Sequence, residues 1–362
     1  GAGIFFAAYA LFGIPANLLM NRWGAKRWLS ATTALWGALS ACTGLVANEQ
    51  QFIVLRFLLG IAEAGFYPGI LLLASIYFPN KVRASVIGIF VLGVPAALTL
   101  GSPLSGALLE MHGVLGKPGW FWMFVLEGLP AVVLGVFAFF YLDDSPGQLA
   151  AEQQRTETNS VKAAMRSGKV WHLALIYGTL QIGVYGLMFF LPSQIASLMG
   201  THLGFKASLV AAIPWACSAL GVYFLPRYAD RKTARRLPIA VGCMVAAALG
   251  LVVSSYAGPL LAIVALSCCA VSFLAVQPIF WTFPAQLLTG PALAAGIGFC
   301  TTLGAAFSFL APLIRTEAEQ RFHSPHAGPL VLAAFSLLCA VLLGALRHRH
   351  ADARKQDAEI TG

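Results

Sequence analysis

Long apolar runs separated by short polar loops constrain this sequence more than any other feature. A helix needs roughly 20 apolar residues to cross a hydrocarbon core of about 30 Å. Eleven runs approach or exceed that length, at residues 1–20, 28–47, 52–78, 84–109, 120–142, 172–193, 207–226, 238–257, 260–284, 292–314 and 328–346. The runs lack the period-two alternation that a membrane β-barrel requires. The sequence therefore predicts an all-α polytopic membrane protein, with the lipid bilayer as its surroundings.

The composition agrees with this prediction. Charged residues make up 10% of the 362 residues and hydrophobic residues 59%, whereas roughly a quarter of the residues of a soluble domain are charged. A chain with so few charges cannot cover a water-facing surface, which excludes a soluble domain. The formal net charge is +9. Because the basic residues lie mainly in the loops between the apolar runs, this charge indicates topology, and no nucleic-acid partner is expected.

The basic residues divide unequally between the two sides of the predicted bundle. Loops on one side, together with the segment after residue 346, carry 18 Lys and Arg residues, whereas the loops on the other side carry 4. Cytoplasmic loops of membrane proteins hold the excess of Lys and Arg. The first side is therefore predicted to be cytoplasmic, and with it the C-terminus.

One long polar stretch, residues 143–171, divides the chain and is predicted to be a cytoplasmic central loop. Residues 1–142 then form an N-terminal half with five spans, and residues 172–346 a C-terminal half with six. Residues 347–362 form a polar cytoplasmic tail.

Two basic loops share one pattern at corresponding places in the two halves. Residues 21–27 read NRWGAKR and residues 230–236 read DRKTARR, and both follow (N/D)-R-x-x-x-(K/R)-R. Two ordinary inner loops could produce this similarity. A duplicated half-protein, which is common among transporters, also explains why each loop follows a particular helix of its half.

The first of these loops is similar to the loop between helices two and three of the major facilitator superfamily, G-x-x-x-D-R-x-G-x-(R/K)-(R/K). Four residues match this motif: Arg22, Gly24, Lys26 and Arg27. Two depart from it, because Asn17 replaces the first Gly and Asn21 replaces the Asp. The resemblance implies that both basic loops gate the conformational change. The gating residues would be Asn21, Arg22, Gly24, Lys26 and Arg27 in the first loop, and Asp230, Arg231, Arg235 and Arg236 in the second.

Within this superfamily, the chain resembles the anion:cation symporter family of carboxylate and sugar-acid transporters. The resemblance is carried by residues 9–19 (YALFGIPANLL), 55–69 (LRFLLGIAEAGFYPG), 101–106 (GSPLSG) and 119–128 (GWFWMFVLEG). It implies a bundle of two pseudo-symmetric halves with twelve helices, of which the first is expected to be missing here. It also implies a monomer in a bacterial inner membrane.

Ionisable residues within membrane spans are costly and are functional candidates by default. Arg56 and Glu63 lie seven residues apart, on one helix face and about 10 Å apart along the axis. The resemblance implies that Arg56 binds the anionic substrate and that Glu63 couples transport to protons. Arg56 could instead extend to the membrane interface, and Glu63 could be structural. Glu127 is expected to make a structural hydrogen bond.

Three further residues are candidates for substrate binding. Tyr9 and Tyr185 lie in corresponding segments of the two halves, and Gln181 precedes Tyr185 by one helical turn. A tyrosine offers an apolar ring together with a hydroxyl group, which suits hydroxy acids and aromatic carboxylates. Packing within the bundle is the alternative role.

These observations predict a secondary active transporter that imports an organic anion, a carboxylate or sugar acid, with a proton as the coupling ion. No enzyme activity, cofactor or metal is expected, because no Walker lysine loop, GxSxG or HExxH motif occurs. Three alternatives stay open: a truncated inactive family member, an efflux transporter of amphiphilic compounds, and a polytopic membrane enzyme.

Overall fold

A computed structural model describes residues 2–141, 166–200, 205–288 and 291–360 of the chain. Fifteen α-helices occur in these ranges, and no strand does. In chain order they are α1 (Ala2–Trp23), α2 (Ala25–Thr43), α3 (Glu49–Glu63), α4 (Phe66–Tyr77), α5 (Asn80–Val91), α6 (Gly93–Leu109), α7 (Gly119–Tyr141), α8 (Gly168–Met188), α9 (Leu191–Leu198), α10 (Phe205–Asp230), α11 (Arg236–Tyr256), α12 (Pro259–Phe280), α13 (Pro284–Leu287), α14 (Pro291–Arg321) and α15 (Ala327–Ile360).

The helices confirm the all-α prediction, since each of the eleven apolar runs contains helix. Nine helical segments of the described residues are long and apolar enough to cross a membrane, with mean hydropathies between 1.2 and 2.5. They belong to the third and later runs, and α1 and α2 cover the first two. The chain is therefore a multi-pass membrane protein.

Four of the expected spans are interrupted rather than continuous, and a proline follows each interruption. Pro68, Pro95, Pro192 and Pro284 each lie four residues after the end of the preceding helix or its cap. Proline lacks an N–H group, and its ring collides with the carbonyl four residues earlier, so the helical hydrogen bond cannot form there. The interruptions separate α3 from α4, α5 from α6, α8 from α9 and α12 from α13.

Two helices extend into segments that were predicted to be a loop and a tail. Helix α8 begins at Gly168, four residues before the expected span, while residues 143–165 of the predicted central loop lie outside the described part of the chain. Helix α15 continues from the last span through most of the predicted tail to Ile360. The tail contains three Ala and three Arg residues, which favour helix, and it has no glycine or proline before Ile360 to end the helix.

We call α1–α7 the first half and α8–α15 the second half. Within the first half, α2 packs closely on α7 through glycines. A Cβ atom on Gly37 would lie 2.7 Å from the Val132 nitrogen, and one on Gly128 would lie 2.7 Å from the Ala41 nitrogen. Small residues permit such an approach between membrane helices. These two helices therefore pack at close range.

The two halves contact each other mainly in two regions. Helix α1 packs on α14, and α5 and α6 pack on α10. A cavity lies between these two contacts.

Candidate functional site

The central cavity has a volume of about 570 Å³ and takes its walls from both halves. This size falls in the range of small-molecule sites. Its polar lining residues are Tyr9, Glu63, Tyr67, Tyr177, Gln181, Tyr185, Gln277, Thr301 and Ser308, and its aromatic lining includes Phe5, Phe6, Trp36 and Phe66. Glu63 is the one charged residue among the lining residues that the structure describes. The cavity therefore combines one carboxyl group with amides, hydroxyls and aromatic rings.

Two amide side chains line the cavity from the second half. Gln181 on α8 and Gln277 on α12 are each 7% exposed. The Oε1 atom of Gln181 is buried and has no hydrogen-bond partner. An unsatisfied buried amide oxygen is costly, and a hydroxyl group of a bound molecule can supply the missing donor.

Thr301 and Ser308 contribute less to recognition. The Thr301 hydroxyl donates to the carbonyls of Ile297 and Gly298, both at 3.0 Å, and the Ser308 hydroxyl donates to Gly304 at 2.8 Å. Their hydrogens are used within α14, so these residues can only accept hydrogen bonds from a ligand.

An aromatic cluster joins the halves on the side of the cavity toward the Asp230 loop. The Trp281 Nε1 atom donates to the Tyr67 hydroxyl at 3.1 Å, and the rings of Trp281 and Tyr177 are 4.7 Å apart. Since Tyr67 belongs to α4 and Trp281 follows α12, the contact bridges the two halves.

A second aromatic contact joins the halves at the opposite end of the bundle. Phe6 on α1 lies 5.0 Å from the ring of Tyr185 and 6.4 Å from the ring of Phe189. Interhalf contacts are therefore present on both sides of the cavity.

Four of the predicted site residues line this one cavity: Tyr9, Glu63, Gln181 and Tyr185. They come from α1, α3 and α8, which are distant in sequence. Their roles stay predictions, but the structure brings the four side chains together.

Arg56 is not among the lining residues. Its guanidinium carbon lies 5.0 Å from the ring centre of Phe52 and 5.5 Å from that of Phe124, in cation–π contacts that involve α7. Its Nε atom is buried without a partner, and Arg56 interacts electrostatically with Glu63. Arg56 therefore lies beside the cavity rather than in it.

Sequence reasoning missed Gln277, Tyr67, Tyr177 and Trp281. Gln277 is a polar residue inside an apolar run. Glu63 was selected because it is an ionisable residue inside such a run, but glutamine is not ionisable, so the same criterion did not select Gln277. Tyr67 lies within the family-like stretch 55–69. The Tyr67–Trp281 contact spans 214 positions, and no local pattern indicates it.

The second basic loop forms a polar cluster between the halves. The Asp230 Oδ2 atom accepts hydrogen bonds from the Ser85 backbone nitrogen at 2.8 Å and from the Ser85 hydroxyl at 2.5 Å. Its Oδ1 atom pairs with Arg236 at 2.6 Å, and the two side chains are 8% and 1% exposed. Arg236 also donates to the Asn80 side chain at 2.8 Å. We call Asn80, Ser85, Asp230 and Arg236 the polar latch.

The other predicted gating residues do not join the polar latch. Arg231 and Arg235 are exposed, and Arg235 donates to Tyr228 in its own half at 3.0 Å. In the first loop, Lys26 lies over the Phe139 ring of α7 at 5.5 Å, and Gly24 turns the chain with a φ of 85°. Arg27 is exposed, and the side chains of Asn21 and Arg22 lie outside the described part.

Comparisons with known proteins agree with this architecture. The model of the Major Facilitator Superfamily matches residues 1–312. The inner membrane transport protein RhmT of Escherichia coli (strain K12) is 52% identical over 96% of this chain and 84% of its own length. A putative tartrate transporter of Agrobacterium vitis is 37% identical over 86% of this chain and 76% of its own length.

Two solved structures share the fold at low sequence identity. The fucose:proton symporter FucP of E. coli has a TM-score of 0.72 at 14% identity, covering 94% of this chain and 90% of its own. The proton:xylose symporter XylE has a TM-score of 0.75 at 12% identity, covering 95% and 84%. The family model and the similarity to RhmT show that this chain belongs to the Major Facilitator Superfamily.

Proposed function

We propose that the protein is a secondary active transporter that imports an organic anion, a carboxylate or sugar acid, in symport with a proton. One observation carries this proposal: the Glu63 carboxyl group faces a cavity shared by both halves. Alternating access needs a site that each half can uncover in turn. We further propose that the protein works as a monomer in a bacterial inner membrane, with its C-terminus in the cytoplasm.

Glu63 suits proton exchange because no salt bridge in the described part of the chain fixes its charge, although Arg56 lies near enough to act on it. No ion pair of Glu63 occurs among the described residues, where the ion pairs are Asp230–Arg236 and Arg315–Glu319. A carboxyl group within a membrane span must be stabilised by a partner, by water or by a proton. Opening the cavity first to one side and then to the other would let Glu63 take up a proton and release it.

The polar lining suits a substrate with several hydroxyl groups. Gln181 and Gln277 offer amide donors and acceptors, and the aromatic rings pack against the carbon skeleton. Similar proteins support the same chemistry, because they include two proteins named as putative tartrate transporters and two proton symporters of fucose and xylose.

Uptake into proteoliposomes tests the proposal directly. Hydroxylated carboxylates, neutral sugars and aromatic amphiphiles are offered with the outside made acidic. We expect accumulation of a hydroxylated carboxylate alone, driven by the pH gradient.

Export of amphiphiles is the rival function, favoured by the aromatic lining and by 32% identity to a quinolone resistance transporter of Acinetobacter baumannii. Accumulation of an amphiphile in inverted vesicles would favour that rival.

Replacing Gln181 by leucine should raise the half-saturation constant for the hydroxylated substrate about tenfold. Removing one partner of a buried hydrogen bond costs about 1–3 kcal/mol, and each 1.4 kcal/mol is a factor of ten. Substrate affinity is measured by counterflow. Thr179→Val is the control, because Thr179 lies on the same helix but donates to backbone carbonyls outside the cavity. Equal effects of the two substitutions would assign Gln181 a structural role.

Replacing Arg56 by alanine should weaken binding of the anionic substrate about tenfold, whereas Arg56→Lys should recover only part of the affinity. The reason is that Arg56 supplies positive charge beside the cavity, and lysine keeps this charge but lacks the planar guanidinium group that stacks on Phe52 and Phe124. Counterflow is compared for the carboxylate and its neutral amide. If both ligands lose affinity equally, Arg56 acts by packing on Phe52 and Phe124 rather than by charge.

A further inference from the structure

A second cavity lies on the exterior surface of the first half of the bundle, between α2 and α7. It has a volume of about 510 Å³ and is separate from the central cavity. We call it the α2–α7 groove. Its lining residues are Arg27, Ser30, Ala31 and Ala34 on α2, Gly135, Val136 and Phe139 on α7, and Trp23 at the end of α1. Arg27, Ala31 and Val136 are exposed, so the groove faces the surroundings of the bundle.

One end of the groove is basic. Arg27 lies in the first turn of α2, and the Lys26 ammonium group lies 5.5 Å from the centre of the Phe139 ring. The N-cap residue Gly24 supplies no side-chain hydrogen bond to this turn. The first N–H groups of a helix have no partner within it and favour a negative charge. Two cations and a helix N-terminus therefore converge at this end.

A buried hydroxyl group at the same end has no partner. Ser30 is 3% exposed, lines the groove, and its Oγ atom makes no hydrogen bond. It follows Arg27 by three residues, so the two side chains are neighbours on the helix surface. Burying a hydroxyl without a partner is unfavourable. An acceptor oxygen of a bound molecule would satisfy it.

The rest of the groove is apolar and elongated. From Arg27 to Ala34 the helix advances about 10 Å, and the facing wall consists of Gly135, Val136 and Phe139. An inorganic anion could occupy the basic end but would leave this wall uncovered. A ligand with a negatively charged head and a hydrocarbon chain complements both parts.

We propose that the α2–α7 groove binds an anionic phospholipid. The phosphate would lie between Lys26, Arg27 and the Ser30 hydroxyl. An acyl chain would lie between Ala31 and Ala34 of α2 and the facing wall of α7. Lys26 and Arg27 are available for this contact because neither contacts the polar latch in the described part of the chain. The site holds a lipid against the paired helices α2 and α7, outside the transport pathway.

Native mass spectrometry of the full chain in neutral detergent tests this site. Phosphatidylglycerol is titrated and compared with phosphatidylcholine carrying the same acyl chains. Each basic residue near a membrane surface contributes about 1 kcal/mol to the binding of anionic lipid, so Lys26→Gln with Arg27→Gln should weaken phosphatidylglycerol binding about thirtyfold. Ala31→Phe, which fills the groove without changing charge, should also prevent binding.

Lys117→Gln is the matched control. The Lys117 ammonium group lies 5.4 Å from the Phe121 ring at the other end of α7, which reproduces the cation–ring pair away from the groove. This variant should bind phosphatidylglycerol like the parent protein. Ser30→Ala should weaken binding about threefold and leave the melting temperature of the lipid-free protein unlowered, which separates ligand binding from folding.

Three results would overturn the proposal. The double variant could retain phosphatidylglycerol at parent affinity, in which case the basic residues do not bind lipid. Phosphatidylcholine could bind as tightly, which would make the groove unselective for charge. Inorganic phosphate at millimolar concentration could displace the lipid, which would define an anion site without an acyl-chain contribution.

Discussion

Replacing Glu63 by glutamine is expected to abolish proton-driven accumulation while substrate exchange continues. Glutamine keeps the shape of the protonated side chain but cannot release a proton, so the substrate can cross without coupling. Transport of one proton with a monovalent anion moves no net charge. Its driving force is then about tenfold accumulation per unit of pH difference, independent of membrane potential. The variant should equilibrate substrate but not concentrate it.

The measurement is uptake by proteoliposomes under a gradient of two pH units, beside counterflow without a gradient. Glu127→Gln is the matched control, because Glu127 is also a carboxyl on a membrane helix, yet it accepts a hydrogen bond from Ser105 and does not line the cavity. The parent and the control should concentrate the anion about a hundredfold. Accumulation by Glu63→Gln would place the coupling proton elsewhere, whatever the identity of the substrate.

Replacing Asp230 by alanine is expected to open the bundle at the polar latch. The substitution leaves Arg236 buried without its ion-pair partner and removes both hydrogen bonds to Ser85. Removing one partner of a buried ion pair costs about 3–5 kcal/mol. Changing the ratio of open to closed molecules from 1:99 to 99:1 takes about 5.5 kcal/mol. Half that energy makes the two states equally populated. The variant should therefore populate the open state substantially, and its transport rate should fall.

Spin labels at positions 82 and 232, one in each half beside the polar latch, report this change as a longer distance. Arg235→Gln is the control, because Arg235 is exposed and contacts Tyr228 within its own half. Its distance distribution should match that of the parent. An unchanged distribution in Asp230→Ala would show that the aromatic contacts alone hold this end closed.

The membrane fold could be predicted from the sequence because burial in lipid demands long apolar runs. The interruptions within those runs could not be predicted with the same success. Pro68 and Pro192 follow broken helices, whereas Pro103 and Pro130 lie inside continuous ones. Whether a freed carbonyl bends a helix or ends it depends on the partners that neighbouring helices offer, and single-helix patterns do not contain that information.

The candidate site was predicted in part for a related reason. Polar groups are rare in the spans, so Glu63 and Gln181 stand out in the sequence, and both line the cavity. The seven-residue spacing placed Arg56 on the face of Glu63, but spacing does not say which helix covers that face at each level. At the level of Arg56, the covering residue is Phe124 of α7.

The two ends of the bundle differ in the contacts between the halves: aromatic rings meet at the Phe6 end, whereas the other end also contains the polar latch. The change in heat capacity on opening should therefore differ between the two ends. Separating Phe6 from Tyr185 and Phe189 exposes apolar rings, which carries a positive change in heat capacity. Such closure weakens on cooling and strengthens in sulfate. Opening the Asp230 end separates Tyr67 from Trp281 as well, but it also hydrates Asp230 and Arg236, and polar exposure lowers the change in heat capacity. We therefore expect cold to favour the conformer that is open at the Phe6 end, so that the resting orientation of the transporter would depend on temperature.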